Sequence, residues 1–543
     1  MKAPYELSYQ QFDSLQATQA VLGEDLLSVN VAQLCCDQHV GSDRVALRWR
    51  SEQGAAEDLT FEDLKQRSER LARVLSDRGI GPGDRVAGLL PRIPELLLTV
   101  LATWRLGAVY QPLFTAFGPK AIEHRLATSG AKVVVTDSLN RQKLDNLNSA
   151  PTILTVAQRG SAVQAGDVDL REAMNSADPG MPPVARSADD PFLMMFTSGT
   201  TGPAKPLYVP IRAVVPFAGY MRDAVGLRND DRFWNIADPG WAYGLYYAVT
   251  GPLLLGCATL LYDGPFSVES SLKVIRDNDI NNLAGSPTAY RLLIAAGSDA
   301  VSELKGQLRV VSSAGEPLNP EVIRWFSEHL DIVVHDHYGQ TELGMVLCNF
   351  HNLDHTVTPG SAGYPMPGIR LAVVDEDGVE QASGTPGILA VDRQQSPMYW
   401  FKGYEGMQSR AIGEKYYLTG DAAVQNANGS IKFVSRADDV ITSSGYRIGP
   451  FDVESALLEH DAVVEAAVIG KPDPLRTELV KAFVVVKPSV NASDQLAEEL
   501  KQLVKRRVGA HAYPRELEFI DELPKTPSGK IQRFVLRKKE LSV

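Results

Sequence analysis

Between about residues 60 and 430, short uninterrupted apolar runs alternate with stretches whose apolar positions return every three or four residues. The first kind fits strands covered on both faces, and the second fits helices with one buried side. Strands are expected over 85–90, 132–136, 308–312 and 332–335, and helices over 93–106 and 320–329. Such alternation gives an α/β body of mainly parallel sheets flanked by helices, in which ligands gather at the carboxyl ends of strands. After Gly420-Asp421 the character shifts. Residues 450–460 fit a helix, 463–469 and 479–486 fit strands, and 494–508 a charged helix: a small α+β unit. The polar strip Ser435-Arg436-Ala437-Asp438-Asp439 lies between the two patterns and reads as a hinge. The expected division is a body over 1–437 and a small mobile domain over 438–543, turning at Asp438.

With 543 residues the chain exceeds what one hydrophobic core fills, in keeping with that division. Its formal net charge of −12 argues against general binding to nucleic acid or anionic membrane. An anionic substrate therefore needs a local positive site. Four cysteines, Cys35, Cys36, Cys257 and Cys348, form no CxxC pair and no disulfide framework, so a reducing cytoplasm is expected. Residues 241–262 carry no charge over 22 positions, long enough to span a bilayer. Gly244, Gly251, Pro252 and Gly256 interrupt that stretch and no basic flank marks one end, so a buried helix and strand are expected instead. Met1 to Leu15 carries charges and no apolar core, unlike a signal peptide.

The most pointed local signal lies at residues 192–205. An apolar run, Phe192-Leu193-Met194-Met195-Phe196, empties into Thr197-Ser198-Gly199-Thr200-Thr201-Gly202-Pro203-Ala204-Lys205. Glycines let backbone N–H groups approach an anion, hydroxyls add donors and the lysine adds charge, the ingredients of a phosphate cradle. A Walker A loop needs four residues between its glycines and then Lys-Ser or Lys-Thr. Only two separate Gly199 from Gly202, and Pro206 follows Lys205, so that motif is absent. For the loop alone, an ordinary polar connection is the plain alternative.

Five further segments carry candidate chemistry: Ser313-Ala314-Gly315-Glu316-Pro317 and Tyr338-Gly339-Gln340-Thr341-Glu342, each just past an expected strand; Tyr417-Leu418-Thr419-Gly420-Asp421; the polar strip continuing to Ser444-Gly445-Tyr446-Arg447; and Pro524-Lys525-Thr526-Pro527-Ser528-Gly529-Lys530. Singly, each has a bland reading: Glu342 as a solvated carboxylate at a helix start, Asp421 as a turn former, Lys530 as a surface lysine. In this order and spacing, over nearly the whole chain, the six segments resemble the adenylate-forming superfamily of acyl-CoA synthetases, peptide-synthetase adenylation domains and luciferases. Within it the chain looks most similar to medium-chain acyl-CoA synthetases and their acetyl-CoA synthetase relatives.

The resemblance implies ATP, Mg²⁺ and CoA as the small molecules used, with a carboxylic acid as substrate. Joining a carboxylate to the α-phosphorus of ATP brings two anions together, so positive charge and positioned donors must offset their repulsion. By resemblance, Thr197, Ser198, Gly199, Thr200, Thr201, Gly202 and Lys205 hold the departing phosphates. Glu342 binds Mg²⁺, a hard cation suited to carboxylate oxygen, and Thr341 touches the α-phosphate. Gly315, Glu316, Pro317 and Tyr338 enclose adenine, with Gln340 in the same nucleotide site. Asp421 takes the ribose hydroxyls, Arg436 and Arg447 steady ribose and phosphate, and Lys530 bridges the attacking carboxylate and the α-phosphate. The loop at Gly445, without a side chain, gives passage to the pantetheine arm when the small domain turns about Asp438. Lys505 and Arg506, in a basic run with Arg507, lie where relatives contact a CoA phosphate. Residues 501–543 hold 11 Lys/Arg against five Asp/Glu, although a solvated helix face explains the run equally well.

Departures from the family pattern bear on the acyl group. Pro206-Leu207-Tyr208-Val209-Pro210 replaces the usual Lys-Gly-Val continuation of the loop. Acetyl-CoA synthetases carry tryptophan where this chain has Gly339, and tend to valine where it has Ala314. Both changes are expected to open a pocket also lined by Trp241, Ala242 and Tyr243, favouring an acid larger than acetate: short- to medium-chain, branched or aryl. His335-Asp336-His337 places two histidines on one side of a strand, but zinc needs three or four ligands, so packing is the expected role. The expected function is an AMP-forming acyl-CoA synthetase, with no stable membrane insertion. Loading of a carrier protein, or nucleotide binding without catalysis, are the alternatives, and the oligomeric state stays open, a homodimer included.

Overall fold

The computed structural model describes residues 2–41, 43–148, 151–158, 162–197, 204–436, 439–443, 446–473, 476–526 and 530–541. Strands form at Arg85–Leu89, Val133–Asp137 and Val310–Ala314, and helices at Pro94–Arg105 and Pro320–Leu330, where the apolar pattern places them. Among the described residues, a seven-stranded sheet runs in the order Lys205–Pro210, Pro191–Thr197, Val109–Pro112, Arg85–Leu89, Val133–Asp137, Thr152–Val156, Val168–Asp169. All its pairs are parallel except the edge pair formed by the first two strands. The helix Pro94–Arg105 is buried at every residue, which is why its sequence is apolar nearly all round. Beside it lies Phe61–Ser76, started by a capping box in which Thr60 and Asp63 satisfy each other's backbone N–H groups.

A second sheet pairs Phe233–Asn235, Asn282–Gly285, Val310–Ala314 and Val334–Gln340 in parallel, then turns antiparallel through Gly344–Cys348 to Tyr364–Pro365. The strand expected over 332–335 therefore begins at Val334 and continues to Gln340, so Tyr338, Gly339 and Gln340 lie within it and not beyond it. A larger correction concerns residues 371–436. The body is not alternating α/β to residue 430: Leu371–Val374, Gly387–Asp392, Tyr416–Gln425 and Ile431–Arg436 form an antiparallel sheet with no helix between them. The uncharged stretch at 241–262 folds as helical turns over Ala242–Leu254, with a wide π-helical segment at Leu245–Thr250, and then the strand Thr259–Asp263. No helix among the described residues is long and apolar enough to cross a membrane.

The C-terminal unit has its own core, in which Ile441, Val453, Leu457, Val468, Val480, Val484, Leu500 and Val504 pack together. The strands Val463–Asp473 and Thr477–Val486 pair antiparallel, and Glu516–Phe519 joins the second in parallel. The unit touches the body where the Lys432 Nζ meets Asp452 at 2.7 Å, Asn319 donates to the Ser455 hydroxyl at 2.9 Å, and Phe433 packs edge-on against Phe451.

Behind the second sheet sits a cluster of buried histidines. The rings of His335 and His351 stack with centroids 3.7 Å apart. The Nδ1 of His335 and the Nε2 of His337 both meet the Asn349 carbonyl, and the Tyr220 hydroxyl meets His337 Nδ1 at 2.8 Å. Packing is thus the role of the two strand histidines, and no group of three or more His, Cys, Asp or Glu among the described residues is placed to hold a metal. Burial first, and neighbouring histidines after it, depress His335 to about 3; burial likewise takes His337 to about 4. Folded values below the ordinary 6.5 mean that the neutral rings contribute stability in full above pH 6.5 and lose it as pH falls toward 4 and 3. Each protonation at pH 4 costs on the order of 3 kcal/mol. A steep fall in melting temperature between pH 6.5 and 4 is expected, and His337→Gln should flatten it; an unchanged acid limb in that variant would count against the assignment.

Candidate nucleotide and acyl site

The strand Pro191–Thr197 ends at Thr197, and the chain returns as Lys205–Pro210 with Lys205 paired opposite Thr197. That antiparallel pairing pins the two ends of the candidate phosphate loop side by side. The loop residues Ser198, Gly199, Thr200, Thr201 and Gly202 lie outside the described residues, as do Asp438, Gly445 and the side chain of Arg447.

Asp421 is no turn former. It stands inside the ten-residue strand Tyr416–Gln425, paired in register with Arg436. Arg436 donates to its Oδ1 at 3.0 Å, while the Tyr338 hydroxyl and Gln340 Nε2 donate to its Oδ2 at 2.5 and 2.9 Å. Burial raises the Asp421 carboxyl above its ordinary value, and Arg436, the two hydrogen bonds and Lys530 pull it back. Three donors fill three of about four lone-pair positions on a carboxylate. A ribose diol gripped by both oxygens thus requires Tyr338, Gln340 or Arg436 to give way. The Gln340 amide also donates to the Thr419 carbonyl and accepts from the Tyr417 hydroxyl, so it serves as a strut behind Asp421.

Glu342 is buried, and its Oε1 accepts the Tyr404 hydroxyl at 2.6 Å. Burial raises its carboxyl, opposed by that hydrogen bond, the Glu342 backbone, Arg436 and Lys530. A carboxylate stripped of water and leaning on distant cations is a fitting seat for Mg²⁺, which takes one or two carboxylates and fills its remaining positions with phosphate and water. Thr341 is held just before it, its carbonyl accepting the Tyr246 hydroxyl at 3.1 Å. Lys530 comes from the other end of the chain. Its backbone N–H donates to Thr526 Oγ1 at 3.0 Å, and its ammonium lies within electrostatic reach of both Glu342 and Asp421.

Gly315 follows the strand Val310–Ala314 with φ +96°, a left-handed turn that favours glycine. The turn sends Glu316 to Thr288 and Arg291, which donate to its carboxylate at 2.9 and 3.2 Å, so that side chain is committed to the protein. Asp336, which the flanking histidines obscure in the sequence, has a buried Oδ1 with no hydrogen bond among the described residues. Burial pushes its carboxyl well above the ordinary range, against backbone N–H groups of Leu318 and His337. A spare acceptor beside the 315–318 turn suits the exocyclic amine of a purine. The signal available for it was an acidic residue two positions before the Tyr338–Glu342 segment.

On the acyl side, the Trp241 ring packs against Phe114 and Phe117, and Tyr243 against Tyr247. Ala242 begins the helical turn between them, and Ala314 lies buried at its strand end beside His337. Gly339 does not open a pocket. A Cβ there would lie 2.1 Å from the Gly344 carbonyl oxygen, because the neighbouring antiparallel strand closes directly over it. Gly339→Ala must push that strand away and is expected to cost roughly 1–3 kcal/mol, displacing the turn that carries Thr341 and Glu342. Unaltered melting and activity in that variant would contradict this packing. Lys505 and Arg506 are exposed in the last turn of the helix Asp494–Arg507, and Arg507 pairs with Glu459.

The family model described as AMP-binding enzyme matches residues 36–404, and that of its C-terminal domain matches 452–530. The chain belongs to the AMP-binding enzyme family. It is 37% identical to the acetyl-coenzyme A synthetase of Bacillus subtilis, over 99% of this chain and 95% of the relative. Mitochondrial acyl-coenzyme A synthetase ACSM3 of Mus musculus is 36% identical, over 90% of this chain and 85% of the relative. Among solved structures, an acyl-CoA synthetase of Brucella canis is 56% identical with a TM-score of 0.82, covering 99% of both chains.

Proposed function

We propose that the protein is an AMP-forming acyl-CoA synthetase, joining a carboxylic acid to ATP as an acyl-adenylate and passing the acyl group to CoA. This reading is carried by the buried, hydrogen-bonded carboxylates of Glu342 and Asp421 in the body, with Lys530 of the C-terminal unit acting on both through space. An exposed ammonium gains little from carboxylates it does not touch, and more when phosphate lies between them.

In the first step the phosphates rest in the cradle from Thr197 to Gly202 and on Lys205. Adenine lies between Gly315–Pro317 and Tyr338, its amine on Asp336, and the ribose on Asp421 with Arg436 and Arg447. Thr341 and Lys530 position the α-phosphate against the incoming carboxylate. Glu342 would hold a magnesium ion, which would supply positive charge to offset that of the phosphates. In the second step the unit beyond Asp438 turns, withdrawing Lys530 and bringing Gly445 to the same pocket, with Lys505 and Arg506 against a CoA phosphate.

The acid is proposed to be larger than acetate: short- to medium-chain, branched or aryl. Ala314 and the aromatic walls at Trp241 and Tyr243 support that choice, and Gly339 no longer does. Four buried cysteines without a disulfide support a cytoplasmic setting. A pyrophosphate-release screen over C2 to C10 and aromatic acids tests the reading. Release that depends on the acid, with a thioester on free CoA, is expected. Silence across the whole panel would overturn it, and a thioester on a phosphopantetheinyl carrier alone would redirect it.

A further inference from the structure

Tyr404 lies on the long connection between the strands Gly387–Asp392 and Tyr416–Gln425, outside every motif noted above. Yet it touches three parts of the site drawn from separate stretches of chain. Its hydroxyl donates to Glu342 Oε1 at 2.6 Å. The Lys205 ammonium lies 5.1 Å from its ring centroid, a cation–π contact. The Thr197 side chain is a third, electrostatic neighbour of the phenol. Thr197 and Lys205 are the two described residues that bound the candidate phosphate loop.

The support behind the ring is rigid. Phe401 packs edge-on against it at 5.2 Å and is itself wedged on Tyr417. Tyr417 holds Gln340, and Gln340 holds Asp421. The Glu405 N–H donates to the Pro206 carbonyl at 2.8 Å, stapling this turn to the strand that starts at Lys205. One side chain therefore indexes the loop against the carboxylate, on a frame that continues to the candidate ribose contact.

We propose that Tyr404 is a positioning residue for the divalent cation: by donating to one oxygen of Glu342 it fixes the other toward the phosphates, while its ring face holds Lys205 over them. The inference rests on the acyl-CoA synthetase reading for its kinetics, but its binding test does not. Phenylalanine keeps the ring under Lys205 and removes only the hydroxyl, whereas leucine removes both.

The decisive variant is Tyr404→Phe, measured by Mn²⁺ binding with a non-hydrolysable ATP analogue, read as loss of the free-ion EPR signal. Mn²⁺ affinity should weaken about tenfold, as expected for loss of a hydrogen bond to a charged group. Acyl-AMP formation should fall about 10- to 100-fold, while thioester formation from presynthesised acyl-AMP stays within about twofold, which a general packing defect would not allow. Tyr404→Leu should additionally weaken the ATP analogue without metal. Unchanged Mn²⁺ affinity in Tyr404→Phe overturns the proposal, as does an equal fall in both half-reactions. If the wild type forms no acyl-AMP, the proposed activity fails while the Mn²⁺ result still judges Tyr404.

Discussion

Replacing Lys530 by alanine is expected to slow acyl-adenylate formation about 30- to 1,000-fold, the effect of losing 2–4 kcal/mol of charge-assisted transition-state contact. Thioester formation from presynthesised acyl-AMP should stay within about twofold of the wild type, because in the proposed mechanism Lys530 has no part in thiol attack. The local structure supports so sharp a split. Lys530 is exposed, its carbonyl accepts the Thr526 N–H at 2.7 Å, and Lys525 is bridged to Ile531. Lys525 is in turn anchored by Glu465 at 2.6 Å. Removing the Lys530 side chain therefore disturbs no core, and any loss of activity reports chemistry. An equal decline in both half-reactions would remove the division of labour between the two faces of the C-terminal unit.

The second large effect is expected at Asp421. Alanine there removes the acceptor used by Tyr338 and Gln340 and one partner of Arg436. Arg436 is partly exposed and keeps other partners, so the loss of the two buried hydrogen bonds sets a stability cost of roughly 2–3 kcal/mol. Affinity for ATP should fall by about 100-fold, since in the proposed mechanism the ribose loses its acceptor in a water-poor site. Asp421→Asn, which keeps one acceptor, should sit between. Calorimetric titration with ATP alongside thermal melting separates the two losses. ATP affinity within threefold of wild type in the alanine variant would show that the ribose binds elsewhere.

How far the sequence announces this site depends on the kind of residue. Strands covered on both faces, such as Val310–Ala314 and Val463–Asp473, are legible because burial leaves continuous apolar runs. The antiparallel sheet at 371–436 is not, because its strands are separated by long polar connections and carry buried polar residues such as Asp392 and Asp421. Gly420, with φ +74°, makes its strand look like a turn when only the letters are read. Gly339 misleads in the opposite sense. A sequence shows that a side chain is missing but not what fills the space, and here the filler is the Gly344 backbone.

Lys530, Glu342 and Asp421 are legible through the order of motifs, whereas the burial of the two carboxylates is a property of the fold. Tyr404 is invisible beforehand, since a tyrosine in a connection carries no period and no spacing, and Tyr417 shows in the sequence only as the first residue of its segment and not as a strut. Their meaning comes from partners far away in the chain: Glu342 and Lys205 for one, Gln340 for the other.

The central claim is that one pocket, roofed by the C-terminal unit, holds nucleotide and acid together. A crystal structure with a non-hydrolysable acyl-adenylate analogue tests it most directly. The ribose is predicted on Asp421, the phosphate mimic between Thr341 and Lys530, and the acyl chain toward Ala314, Trp241 and Tyr243. An analogue bound away from Asp421 and from the loop between Thr197 and Lys205 would contradict the account.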